Sequence, residues 1–192
     1  MRFTLFGIDF FISYIFVCAF LIFMANDTSG QFIPLIFSVF VHEAGHIIML
    51  FIFGQKLKRA DLKIGAIRVE YSSYAIKSER IVALLAGPLS NLLLALIWHL
   101  FGNENLFYIN IVLCVYNLLP VKGLDGGSII EALSEGKISP KKIDLFLNLT
   151  TFAVAIFVLV GFFLLYKNSM PNYSLILFCI YLILPFIIKK FS

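Results

Sequence analysis

Hydrophobic and polar residues fall along this chain in long blocks, and six apolar segments can be drawn, roughly residues 10–25, 32–53, 81–101, 106–119, 143–166 and 173–188. A helix needs about 20 mainly apolar residues to cross a bilayer. By that measure the second, third and fifth segments reach across, the first and sixth are slightly short, and the fourth is clearly short. Residues 55–80 keep a different rhythm. There Ile67, Val69 and Tyr71 alternate with Arg68 and Glu70 after Ile64 and Gly65, which is the period of a strand. The pattern predicts an all-α integral membrane protein, a single domain over residues 1–192. It would have six transmembrane helices, a broken fourth helix and a short β-hairpin between helices 2 and 3, with an ordinary connecting loop as the alternative to the hairpin.

Composition places this pattern in a membrane. Hydrophobic residues make up 61% and charged residues 14%, against about 25% charged in soluble domains. The net charge of +4 invites comparison with nucleic-acid binders, but the basic residues sit in short loops between apolar runs. Their placement fits topology, and no nucleic-acid partner is expected. With the N-terminus in the cytosol, 14 of the 15 Lys and Arg residues fall on the inner side and only Lys167 lies outside. The positive-inside rule then predicts a multi-pass protein of the cell membrane with both termini cytoplasmic. The first apolar run lacks an A-x-A-like cleavage site and reads as a retained helix. Cys18, Cys114 and Cys179 are scattered and odd in number, so they read as reduced packing residues.

One triplet does not belong in lipid. His42, Glu43 and His46 form an H-E-x-x-H motif in a stretch whose only charge, from Pro34 to Gly54, is that glutamate. Residues three and four apart share a helix face, so His42 and His46 can bind one metal ion with Glu43 beside it. Two core histidines are the structural alternative, but imidazoles and a carboxylate inside a bilayer are costly unless paired or metal-bound.

Catalytic zinc usually takes three protein ligands and keeps a fourth position for water. The remaining histidine, His99, falls near the outer end of the third span beside Trp98, where interfacial residues are at home. Asp125 is the better third ligand. It closes the run Asn117-Leu-Leu-Pro-Val-Lys-Gly-Leu-Asp125, in which Pro120 stops the fourth helix. Fourteen helical residues descend only about 21 Å, so the break falls inside the membrane, and residues 126–134 complete the crossing as a second short helix. The structural alternative, an aspartate that only caps that short helix, is the weaker reading and is itself compatible with ligation. With Zn2+ as cofactor, the set suits metal-assisted hydrolysis of a peptide bond, Glu43 serving as general base and then returning the proton to the leaving amine.

Three motifs carry a family resemblance: H-E-A-G-H at 42–46, A-G-P-L-S-N at 86–91, and N-L-L-P…L-D-G-G at 117–127. In this order, with six spans, the chain resembles the site-2 protease family of intramembrane zinc metalloproteases over nearly its whole length. The resemblance implies zinc held by His42, His46 and Asp125, Glu43 as base, and Asn117 positioning substrate near the metal. It also implies substrates that are membrane-associated proteins cut in or near a transmembrane segment, typically releasing a transcriptional regulator.

Within that family the short N-terminus, the basic patch from Lys56 to Arg59 and the compact section before the third span resemble the stage IV sporulation protein FB subgroup, which processes a sporulation sigma-factor precursor. No PDZ domain fits. No CBS domain of the kind usual in the subgroup is expected after the last helix, so that regulation is either missing or carried by a separate inhibitory or regulatory membrane partner. Where the family tends to place a proline before the aspartate, this chain has Lys122-Gly123. Gly87-Pro88 reads as the start of a helical turn that packs closely, and Asn91 as a support needing a polar partner near the broken helix. The hairpin edge is expected to hold an unwound substrate as an added strand. Alternatives in the same setting are anti-sigma factors, signal-peptide remnants or peptide pheromones as substrates, a non-catalytic membrane scaffold, or a transporter.

Overall fold

The computed structural model describes residues 2–5, 8–12, 24, 27, 30, 32–55, 57–63, 66–71 and 76–167. Their elements run β1 (Arg2–Leu5), β2 (Ile8–Ile12), α1 (Phe32–Ile52), β3 (Leu57–Lys63), β4 (Ala66–Tyr71), α2 (Lys77–Leu100), α3 (Glu104–Asn117), α4 (Asp125–Ser134) and α5 (Pro140–Lys167). The chain divides into two compact units, Met1–Leu118 and Leu119–Ser192.

In the first unit α1 packs on α2, and α2 on α3. Asp27 anchors the entry to α1, its Oδ2 accepting the Phe32 N–H at 2.9 Å. Asn103 caps α3 by accepting the Leu106 N–H at 3.1 Å, satisfying a donor that the helix itself cannot. The strands of this unit form a four-stranded sheet in the order β1-β2-β3-β4. β1 pairs antiparallel with β2, β2 parallel with β3, and β3 antiparallel with β4. The last pairing runs from Lys63 opposite Ala66 to Leu57 opposite Tyr71, which leaves β4 at an edge.

This sheet alters the expectation for the N-terminus. A helix beginning at residue 10 is incompatible with Ile8–Ile12, which is a strand bonded on both sides. So short a run, four apolar residues and Asp9, suits either conformation, and periodicity cannot separate them; here neighbours on both edges decide. Residues 13–23 and the sixth apolar run at 173–188 lie outside the described residues.

Among the described residues, three helices are long and apolar enough to cross a membrane: Phe32–Ile52, Lys77–Leu100 and Pro140–Leu164. Their packing is inverted relative to a soluble protein. Large apolar side chains point outward, with Phe40 at 69% exposure and Phe157 at 79%, while Ser38, Ala83, Asn91, Ala95, Thr151 and Ala155 are buried. Lipid tails solvate Leu and Phe as well as a protein core does, so contacts between membrane helices fall to small and polar residues. The described helices are those of a membrane protein.

In the second unit α4 and α5 pack together. Ile143, Leu147, Thr151 and Ala155 form the buried stripe of α5, four residues apart and so on one face. Before α4, residues 119–124 fold tightly: Val121 N–H donates to the Leu119 carbonyl at 2.7 Å and Leu124 N–H to the Val121 carbonyl at 3.2 Å. Val121 is fully buried and Leu124 nearly so. As expected from Pro120, no helix runs through this segment, and α3 ends at Asn117.

Candidate metal centre

The two histidines of α1 are brought together by helix spacing and by what α2 lays against them. Their Nε2 atoms stand 3.1 Å apart, with ring centroids at 4.8 Å and planes nearly perpendicular. Nδ1 of His46 lies 2.7 Å from the Ala83 carbonyl oxygen. A carbonyl only accepts, so Nδ1 carries the proton and Nε2 presents its lone pair toward His42. That is the tautomer a metal-binding imidazole requires, fixed by an outer hydrogen bond of the usual kind.

Two such nitrogens can share either a proton or an ion. Zinc–nitrogen bonds of about 2.0–2.1 Å in a tetrahedral shell put ligand nitrogens about 3.3 Å apart, close to the separation found. His42 is buried and His46 half-buried, so both rings are largely withheld from water.

Gly87 makes room for this arrangement. A Cβ built there would lie 2.3 Å from Nε2 and 2.4 Å from Cε1 of His46, and 2.9 Å from Cε1 of His42. Only a residue without a side chain lets α2 approach the pair, and the pair fits a metal ion on that account as well as on its donor type. Gly87 and Pro88 do not start a helical turn as the sequence suggests; both are buried within α2, which continues through Pro88. The proline removes one backbone donor there. Asn91, one turn further along α2, is fully buried, and among the described residues neither its Nδ2 nor its Oδ1 has a hydrogen-bond partner.

Glu43 sits between the histidines on α1 and is half-buried. Asn117 is the last residue of α3, and its Nδ2 donates to the Leu113 carbonyl at 3.1 Å, so its amide is engaged within its own helix. Asp125 is the first residue of α4. Leu124 holds the cap position, and Asp125 follows it as the first helical residue. His99 is exposed in the last turn of α2, 3.4 Å from the Glu104 carboxylate, in keeping with its reading as a surface residue. Cys114 is free and buried. Gly87 and the Ala83 carbonyl were not singled out as site components from sequence; the signal was the run of small residues facing the H-E-x-x-H helix.

The fold and the histidine pair define a helical membrane protein with a site suited to a divalent metal. The profile of the family described as Peptidase family M50 matches residues 103–159, a segment that contains Asn117 and Asp125 but not the histidine motif. The fold is similar to that of the Site-2 Protease from Methanocaldococcus jannaschii, with a TM-score of 0.69 and 23% identity over 95% of this chain and 91% of that one. No curated protein matches the sequence significantly.

Proposed function

We propose that this chain is an intramembrane zinc metalloprotease of the site-2 type, in which His42, His46 and Asp125 hold one Zn2+ and Glu43 is the general base. The observation that carries the reading is the pair of Nε2 atoms 3.1 Å apart with the His46 proton committed to Ala83. The Peptidase family M50 match around Asp125 and the similarity of fold support it.

The chemistry such an ion supplies when bound is Lewis-acid activation of a water and of the scissile carbonyl. This chain's own residues do the rest. The α1 face holds the ligand imidazoles, and Ala83 keeps His46 in the correct tautomer. Glu43 takes the proton of the attacking water as its oxygen bonds to the carbonyl carbon. When the C–N bond breaks, Glu43 returns that proton to the amine nitrogen. Asn117 contributes to positioning the substrate. The substrates are membrane-associated proteins cut in or beside a transmembrane segment, with a sporulation sigma-factor precursor as the particular candidate the subgroup resemblance suggests.

The edge position of β4 supports a role in holding an unwound substrate strand. The distribution of Lys and Arg supports six spans with both termini in the cytosol of a bacterial cell, and a separate membrane partner is the proposed regulator. The test is Glu43→Gln in the full chain, co-expressed with candidate substrates. We expect retained zinc and cleavage reduced by about 10²–10⁴-fold; cleavage at the wild-type rate would remove Glu43 from its role.

A further inference from the structure

The segment between Asn117 and Asp125 is held by more than its own turns. Along α5, Asp144, Leu147, Asn148 and Thr151 lie on one face at the spacing of successive helical turns. This face meets the broken segment at three points. The Lys122 N–H donates to Thr151 Oγ1 at 3.2 Å, and Thr151 Oγ1 in turn donates to the Leu147 carbonyl at 2.6 Å. Thr150 Oγ1 faces the carbonyls of Pro120 and Leu147, sharing its one proton between them. The Lys122 ammonium pairs with Asp144 Oδ1, while Asn148 Nδ2 donates to the other oxygen, Oδ2, at 3.3 Å.

Below, the segment presses on α4. A Cβ at Gly127 would lie 2.2 Å from the Val121 carbonyl oxygen, so the first turn of α4 sits directly on the backbone next to Lys122. Asp125 is therefore the short bridge between a peptide docked on Thr151 and a helix turn packed on Val121.

The ion pair contributes little to overall stability. Its side chains are 34% and 42% exposed, and pairs so wet are worth little energetically. Its consequence is geometric. Lys122 is the only charged residue in the run from Leu118 to Leu124, and Asp144 is reached across 22 residues of chain. We propose that Asp144 and Lys122 form a positioning clamp: α5 fixes the broken segment through this pair and the Thr150–Thr151 hydroxyls, and so sets where the Asp125 carboxylate is presented to metal. The inference rests on the metal reading above and adds residues to it, Lys122 and Asp144 acting through Asp125 rather than touching the ion.

The experiment uses the full chain in detergent and Zn2+ alone as the probe, with affinity read by competition against a chromophoric chelator. Lys122→Met and Asp144→Asn should each weaken zinc about 10-fold, the lower end of what outer contacts to metal ligands cost. The double variant should be no worse than either single, and the exchanged pair Lys122→Asp with Asp144→Lys should recover to within about 3-fold of wild type. Amide exchange at Lys122, slow in the wild type, should speed up in Thr151→Val and Asp144→Asn while exchange in α1 and α2 stays unchanged, which separates local release from misfolding. Zinc-loaded wild type with unaffected single variants, or additive losses that the exchange does not rescue, would overturn the clamp. Wild type that binds no zinc would instead defeat the metal reading itself.

Discussion

At the scale of single residues, the site depends on contacts that side-chain pattern does not encode. The spacing of His42 and His46 made their pairing legible in the sequence, because helix geometry alone places i and i+4 together. The Ala83 carbonyl that fixes the tautomer of His46 could not be read in the same way, since every residue has such an oxygen and only tertiary packing selects one. Gly87 lies between these cases. It was visible as a small residue, but the reason for its size is the imidazole of His46 against it. Gly87→Ala should therefore leave the helices folded and weaken zinc binding by about 10–100-fold, as other displacements of ligand orientation do. Chelator competition alongside circular dichroism checks this, and an alanine variant with wild-type zinc affinity would show that the ring is not held there.

At the scale of elements, apolar length located α1, α2, α3 and α5 to within a few residues, and Pro120 located the end of α3. Length failed where a run was short. Ile8–Ile12 reads as the start of a helix until β1 and β3 are seen on either side. At Pro88 length was the better guide: the apolar run 81–101 continues through this helix breaker, and so does α2, because surrounding packing outweighs a local preference. The polar face of α5 was present in the sequence as Asp144, Asn148 and Thr151, but nothing there identified its partner 22 residues upstream.

Two predictions belong at this scale. Asn103→Ala removes the acceptor at the start of α3 and should cost about 0.5–2 kcal/mol, measurable as a lower unfolding midpoint with the zinc content unchanged. Proline placed singly along residues 67–71 removes one backbone donor from the edge strand β4. Positions whose N–H faces away from β3 should slow cleavage about 10-fold or more without loss of folded protein. Normal cleavage by every one of these variants would contradict substrate addition at that edge.

At the scale of the whole molecule, the chain places its large apolar side chains outward and its small and polar ones between helices, and that arrangement assigns the bilayer as its solvent. The proposed orientation rests on the basic residues. Reporter fusions at Asn103 and Ser192 should report the outer and the inner side respectively, and cytosolic activity at Asn103 would reverse the topology. The central claim is that ligands from segments some 80 residues apart in sequence serve one ion. X-ray absorption at the zinc edge on the purified full chain tests it most directly. We predict one zinc per chain with two imidazoles and a carboxylate oxygen at about 2.0–2.2 Å, and loss of the ordered shell in Asp125→Ala. A shell unchanged by that substitution, or one built only of light scatterers without imidazole, would contradict the account.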